Sequence, residues 1–316
     1  MGEKKNSRGN EVVVISVLAL LLSPLCAEPL NLLLDWYPNP DHVPLFVGRE
    51  KGFYKEEGID INLIKVLDRP RGLATLESER VEIVLYCTMP LLRAAARHDD
   101  LSIVGRYIGV SLMGIGVREE SGITSPRELA GKAIAANPDG TVAAVLNNFA
   151  KVEKIEYGAI KKVFMSLPIA LAMKRIDAIS GIFWNVESHQ LAANGIKNRV
   201  FRFTEMGVPD HPELLFVARK SWQKNHRELI ERFNRATKKS IAYAKKHPDE
   251  AFNIYAALMV DKSAKTLKWE RASWEMTAPL FADDPRLDPA PIANLYNWME
   301  EHDLLKKSYN VKSLLE

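Results

Sequence analysis

The chain has 316 residues, of which 47% are apolar and 26% charged, with 43 Lys and Arg against 40 Asp and Glu. That length suffices to bury a core without covalent staples, and the composition is that of an ordinary globular protein. Basic residues are interleaved with acidic ones rather than gathered in a stripe, which excludes a nucleic-acid surface of the usual electrostatic kind.

Residues 1–27 have the form of an export signal. Lys4, Lys5 and Arg8 make a positive start, Val12 to Leu22 is an apolar run interrupted by Ser16, and small residues follow near Ala27. The run is shorter than the roughly 20 apolar residues of a membrane span. Cleavage after Ala27 removes three basic and two acidic residues, leaving 40 against 38. Leu25 stands where a smaller residue is favoured, so a retained signal anchor, or a lipid-anchored Cys26, is the alternative. Of the two cysteines only Cys87 then remains, so an exported chain has no internal disulfide.

Next comes a strand, Leu30 to Leu34, and a turn crowded with aromatic, amide and imidazole groups, Asp35-Trp36-Tyr37-Pro38-Asn39-Pro40-Asp41-His42. A helix over Val43 to Glu50 opens with Pro44, where a missing N–H does no harm. Aromatic faces supply contact area and polar groups fix orientation, so Trp36 and Tyr37 beside Asn39 and His42 suit a ligand that is flat and polar. Aromatics that plug a core give the same pattern.

Strand-like and helix-like segments alternate from there, which predicts α/β units around largely parallel sheets. Ile59 to Leu63 alternates at strand period, Arg71 to Ser78 reads as a helix, and Val81 to Tyr86 as a buried strand. A helix after Pro90, Leu91 to Arg97, leads to strands Leu101 to Val104 and Leu112 to Val117. Ser125-Pro126-Arg127-Glu128 has capping-box spacing and predicts a helix start. A second unit repeats the grammar: strand Lys132 to Ala136, turn Asn137 to Gly140, helix Thr141 to Lys151, strand Lys161 to Phe164, helix Pro168 to Lys174, strand Asp177 to Phe183. The helix Asn185 to Ala193 closes at Gly195. Strands Val200 to Phe203 and Leu214 to Ala218 follow, and from Ser221 the chain is helical with breaks at His247-Pro248, Val260-Asp261 and Asp283-Asp284-Pro285.

Glu79-Arg80-Val81-Glu82-Ile83-Val84-Leu85-Tyr86 and Lys174-Arg175-Ile176-Asp177-Ala178-Ile179-Ser180-Gly181 share an order of charge, Arg, β-branched residue, acid and apolar strand. Two such units predict two similar lobes, with a ligand crevice beyond the carboxyl ends of their strands. Tyr86-Cys87-Thr88 and Phe183-Trp184-Asn185-Val186-Glu187 then fall at matching places beside the Asp35 to His42 loop.

Several chemistries are unsupported. Gly114-Ile115-Gly116 lacks the third glycine of a dinucleotide fingerprint and lies inside a strand, and there is no Walker lysine motif or serine elbow. The seven histidines never take metalloprotease spacing, and His189, His211, His226, His247 and His302 read as solvated surface. Asp283, Asp284 and Asp288 lack EF-hand spacing and read as a turn followed by a helix cap. What remains is a recognition set: Trp36, Tyr37, Tyr86 and Trp184 to sandwich a ring, with Asn39, His42, Thr88, Asn185 and Glu187 supplying donors and acceptors. Glu187 suits an amino-substituted heteroaromatic, because a hydrogen bond to a carboxylate gains strength where water is excluded. No catalytic residue, metal ligand or cofactor is expected.

The opening motif, its sequel Gly52-Phe53-Tyr54-Lys55-Glu56-Glu57-Gly58, the stretch Gly181-Ile182-Phe183-Trp184-Asn185-Val186-Glu187, and Gly207-Val208-Pro209 together resemble the bacterial substrate-binding proteins that carry thiamine pyrimidine precursors to ABC importers. The likeness runs from about Pro29 to Leu304. It implies a type II two-lobed periplasmic binding protein, each lobe a mostly parallel sheet flanked by helices. Lobe one would span 28–111 and 204–316, and lobe two 112–203. It further implies a monomer that binds hydroxymethylpyrimidine or formylaminopyrimidine, with Trp36 and Tyr86 stacking and Asn39, Asn185 and Glu187 as polar contacts, and then docks on a membrane permease. A related branch makes the pyrimidine itself from pyridoxal phosphate and its own histidine. Where that branch places the sacrificial histidine this chain has Cys87-Thr88-Met89-Pro90, and it lacks that branch's run of cysteines. A binding protein for another flat or sulfonated nutrient, such as riboflavin or an alkanesulfonate, is the third alternative.

Overall fold

The computed structural model describes residues 27–66, 72–136, 140–163, 166–305 and 307–315. The export-signal reading of 1–27, with Cys26, falls almost wholly outside them, as do Asn137 to Asp139 of the turn, Arg71 and Phe164. Among the described residues no helix is long and apolar enough to cross a membrane.

Among the described residues ten strands make two five-stranded sheets: β1 (Glu28–Leu33), β2 (Ile59–Ile64), β3 (Ile83–Cys87), β4 (Leu101–Ile108), β5 (Met113–Arg118), β6 (Ala133–Ala136), β7 (Ala159–Lys162), β8 (Ala178–Phe183), β9 (Asn198–Arg202) and β10 (Leu214–Arg219). The first sheet runs β2-β1-β3-β10-β4 and the second β7-β6-β8-β5-β9. In each, one strand is antiparallel to its neighbours: β10 against β3 and β4, and β5 against β8 and β9. The two sheets therefore share one plan, in which the antiparallel strand is supplied by the segment arriving from, or leaving to, the other sheet.

The internal sequence echo is structural. β3 and β8 occupy the same place in their sheets. Each follows a short helix, Gly72–Glu77 or Leu167–Ala172, that is followed within two residues by a charged residue in the left-handed region, Glu79 at φ 59° and Lys174 at φ 55°. Two non-glycine residues at matching positions accept that conformation, which L side chains seldom adopt.

Helices cover both faces of the sheets, so the inner strands β3 and β10 read as continuous apolar runs, whereas the edge strand β2 alternates, with Asp60 and Asn62 exposed. Along β10, Leu215 and Val217 join one buried cluster while Leu214, Phe216 and Ala218 join another. Helix Arg227–Lys246 buries a stripe, Leu229, Ile230, Phe233, Ala236, Thr237, Ser240, Ile241 and Ala244, against helix Val43–Glu50. Helix Ala264–Thr277 packs on the turn after β1 and also on helix Glu187–Ala193, which follows β8, so it spans both units.

The chain passes between sheets twice, after β4 and after β9, and the two crossings brace one another. Glu213 accepts the Leu112 N–H at 2.9 Å and Asp210 accepts the Ser111 N–H at 2.9 Å. The Thr88 N–H donates to the Glu213 carbonyl at 3.0 Å.

Three local expectations need correction. Ser125 makes no cap hydrogen bond, and the segment is a single 3-10 turn, Pro126–Leu129. Glu128 instead accepts from Thr124 N–H at 2.8 Å, and Gly131, at φ 71°, turns the chain into β6 before a second turn can form. The helix expected after Pro90 begins earlier, at Thr88, because a proline in the first turn displaces no hydrogen bond. His211 is buried, not solvated: its Nδ1 lies 2.8 Å from the Pro209 carbonyl.

Candidate functional site

The loop after β1 is tied to itself. Asn39, extended at φ −148°, accepts the Asp41 N–H on its side-chain oxygen at 2.8 Å and donates from Nδ2 to the Tyr37 carbonyl at 3.0 Å. The Asn39 N–H donates to His42 Nδ1 at 3.2 Å, so the ring proton sits on Nε2 and points to Asp35 Oδ1, 2.8 Å away. Asn39 and His42 are buried and committed to the protein. The aromatic pair is left outside: Trp36 is 42% and Tyr37 49% exposed, and their rings meet edge to face at 5.6 Å.

The strand ends bring the rest. Tyr86 closes on Gly72, where even a methyl group would come within 3.1 Å of its ring. Thr88 is fully buried and bonds the Pro212 carbonyl of the second crossing. Trp184 sits in the core with its Nε1–H on the Ser111 carbonyl at 3.1 Å and the Arg202 guanidinium 4.1 Å from its ring centroid, so its indole is occupied by the protein on an edge and a face. Asn185 is fully buried, donating to Asp41 Oδ1 at 2.6 Å and Thr277 Oγ1 at 2.7 Å. Glu187 opens its helix half-buried, with Oε2 accepting the Phe183 N–H at 2.8 Å.

The structure thus brings the β1 loop and the β8 end into direct contact through Asp41 and Asn185. It does so around acids of which only Glu187 stands among the sequence candidates. Burial pushes Asp41 up to about 7 and Glu187 up to about 8, and for Glu187 the charges of Asp41 and Asp35 add to the effect. Glu270, buried on helix Ala264–Thr277 with Tyr255 Oη 3.1 Å away, is pushed up to about 8 by burial. Burial also raises Glu213, against the nearby His211. Among the described residues no group of His, Cys, Asp and Glu is arranged to hold a metal ion. At neutral pH Glu187 and Glu270 keep their protons, and a carboxylic acid offers a donor and an acceptor side by side.

Asp41 lies within the Asp35 to His42 motif, which is its signal in the sequence. Glu213 gave a weak signal, an acid between Pro212 and the apolar strand it leads into. Glu270 gave none.

A family model described as NMT1/THI5 like matches residues 39–251. A Haemophilus influenzae protein named for thiamine biosynthesis is 27% identical over 301 residues, 93% of this chain and 94% of its own. The formylaminopyrimidine-binding protein of Halalkalibacterium halodurans is 24% identical across 72% of this chain and 69% of its own. At the same 24%, a Legionella pneumophila relative named 4-amino-5-hydroxymethyl-2-methylpyrimidine phosphate synthase covers 71% of this chain and 72% of its own. Among solved structures, the periplasmic aliphatic sulphonate binding protein SsuA of Escherichia coli superposes with a TM-score of 0.71 at 14% identity, over 91% of this chain and 97% of that one, which establishes the periplasmic-binding-protein fold.

Proposed function

Because the chain belongs to the NMT1/THI5-like family, we propose that it is an extracytoplasmic solute-binding protein, not an enzyme, that captures a thiamine pyrimidine precursor and delivers it to an ABC permease. The observation that carries this reading is Glu187. Its carboxyl is anchored by the Phe183 N–H, is protonated at neutral pH, and lies within electrostatic reach of the loop that presents Trp36 and Tyr37. A protonated carboxyl pairs with the edge of an aminopyrimidine, donating to a ring nitrogen while accepting from the amino group. Trp36, Tyr37 and Tyr86 supply the faces, and Asn39, His42, Thr88, Trp184 and Asn185 hold those groups in place.

Calorimetry with formylaminopyrimidine and hydroxymethylpyrimidine tests the reading. Glu187→Ala should weaken binding roughly tenfold to a hundredfold, the value of a hydrogen-bonded pair to one acid. Glu187→Gln keeps a donor and an acceptor and should bind at neutral pH. Wild-type affinity should hold below neutrality and fall as pH passes about 8, where Glu187 ionises. No heat from either pyrimidine overturns the proposal. The synthase reading is separated by incubating pure protein with pyridoxal phosphate and iron: a histidine modified by mass spectrometry would make the chain an enzyme.

A further inference from the structure

Four side chains from three parts of the chain meet where the two units join. Asp41 comes from the turn after β1, Asn185 from the end of β8, and Ser273 and Thr277 from helix Ala264–Thr277; Asp41 is 1% exposed and the other three are fully buried. Asn185 uses both amide hydrogens, one on Asp41 Oδ1 at 2.6 Å and one on Thr277 Oγ1 at 2.7 Å, while its backbone carbonyl accepts from Ser273 Oγ at 2.6 Å. Two buried atoms are left over, Asp41 Oδ2 and Asn185 Oδ1. Both are acceptors, both lack a donor, and they belong to two residues already joined by a short hydrogen bond. A single hydrogen on Asp41 satisfies both.

We propose that Asp41 carries a proton in the folded protein on the acidic side of neutrality, and that its carboxylic acid and the Asn185 amide form a reciprocal pair, each donating to the other, which latches the β8 unit to the loop after β1. The acid O–H donates to Asn185 Oδ1, and the amide N–H to Asp41 Oδ1. Loss of the proton leaves a carboxylate facing a carbonyl oxygen, reduces two bonds to one, and loosens the two units from each other.

The surroundings favour the proton. Burial and Asp35 at the end of β1 oppose ionisation of Asp41, while His42 beside it in the turn and side-chain hydrogen bonds from Asn185 and Thr277 favour it. Asp41 in turn acts on Glu187 of the helix after β8, on Glu270 of helix Ala264–Thr277, on Tyr107 of β4 and on Tyr255 of helix Pro248–Ala257. Acids outnumber bases in that set, and burial is the largest influence, taking Asp41 up to about 7. The latch therefore releases on the alkaline side of neutrality.

The test reads the separation of the units without any ligand, so it stands whether or not a pyrimidine binds. Spin labels at Val152→Cys, on the exposed end of helix Thr141–Glu153, and at Val260→Cys, fully exposed in the C-terminal helical region, report the distance by double electron resonance on a Cys26→Ser, Cys87→Ser background. Wild type should give a narrow distribution at about pH 6 that broadens at about pH 9, straddling the value for Asp41. Asp41→Asn, which keeps a donor and an acceptor without a proton to lose, should stay narrow at both. Asn185→Ala should be broad at both. A wild-type distribution unchanged by pH, or an Asp41→Asn variant that still broadens, overturns the proposal and points to a buried water or to Glu187. Infrared spectroscopy keeps the idea testable if Asn185→Ala fails to fold. At about pH 6 the C=O stretch of a protonated carboxyl should be weaker in Asp41→Asn than in wild type. Equal bands in the two proteins refute it.

Discussion

Replacing Glu270 by Gln should change how stability responds to pH while leaving the fold intact. Glu270 is buried, accepts from Tyr255 Oη at 3.1 Å, and is raised from 4.5 to about 8, first by burial and then by the charge of Asp41. The folded state holds its proton more tightly than the unfolded chain, so its contribution is fully present below 4.5 and lost as pH rises to about 8. Each pH unit in that window is worth about 1.4 kcal/mol, giving a ceiling of about 4 kcal/mol between pH 5 and pH 8; relaxation of the site lowers this to about 2 kcal/mol. Gln is neutral throughout and still accepts from Tyr255. In urea unfolding followed by circular dichroism, the variant should gain about 2 kcal/mol on wild type as pH rises from 5 to 8. Asp41 and Glu187 titrate in both proteins and cancel in the difference to first order. The exposed acids whose values are lowered by hydrogen bonds, Glu250 to Lys51 and Asp261 to Thr266, act in a more acidic range. Parallel curves for the two proteins would refute the reasoning.

Two further substitutions probe packing. In Gly48→Ala the new methyl overlaps Ser240 Oγ and comes 2.7 Å from Tyr54 Cε2, between helices Val43–Glu50 and Arg227–Lys246. Helix propensity favours alanine by about 1 kcal/mol, but overpacking costs about 1–3 kcal/mol, so a net loss in urea midpoint is expected, partly restored by adding Ser240→Ala. Trp184→Phe gives up the hydrogen bond to Ser111 and weakens the Arg202 stack, about 2 kcal/mol together, and should lower the urea midpoint without altering far-ultraviolet dichroism.

Most elements were legible because their patterns are local. Val43–Glu50 follows from a proline-led apolar run, and the breaks at His247-Pro248 and Val260-Asp261 follow from residues that end helices. The repeated plan is legible in the Glu79 and Lys174 segments, whose shared order of charge, Arg, β-branched residue and acid leads into β3 and β8. Harder to read was whether a polar residue faces water or protein. Glu270, Ser273 and Thr277 stand three and four apart on one helix face, the spacing of a solvated stripe, yet all three are buried because that face meets the turn after β1 and the helix after β8. His211 hides its burial for the same reason, since nothing near it in sequence reveals that two crossing segments cover it.

The motif around Trp36 divides its labour in a way that bears on how a ligand would be held. Its polar members are consumed within the protein: Asn39 caps the turn, His42 bonds Asp35, and Asp41 bonds Asn185. Only the two rings remain free, and rings alone give contact area without direction. On the proposed reading the directional contacts come from the other unit, where Glu187 stands on a helix start fixed by the end of β8. A ligand that needs faces from one lobe and an acid from the other is bound fully only when the two approach, so the energy of closure enters its affinity directly. The Asp41–Asn185 contact sits on that same coupling, because it links the loop bearing the rings to the strand end bearing the acid. Any change that loosens it should cost affinity even for a ligand that touches neither residue.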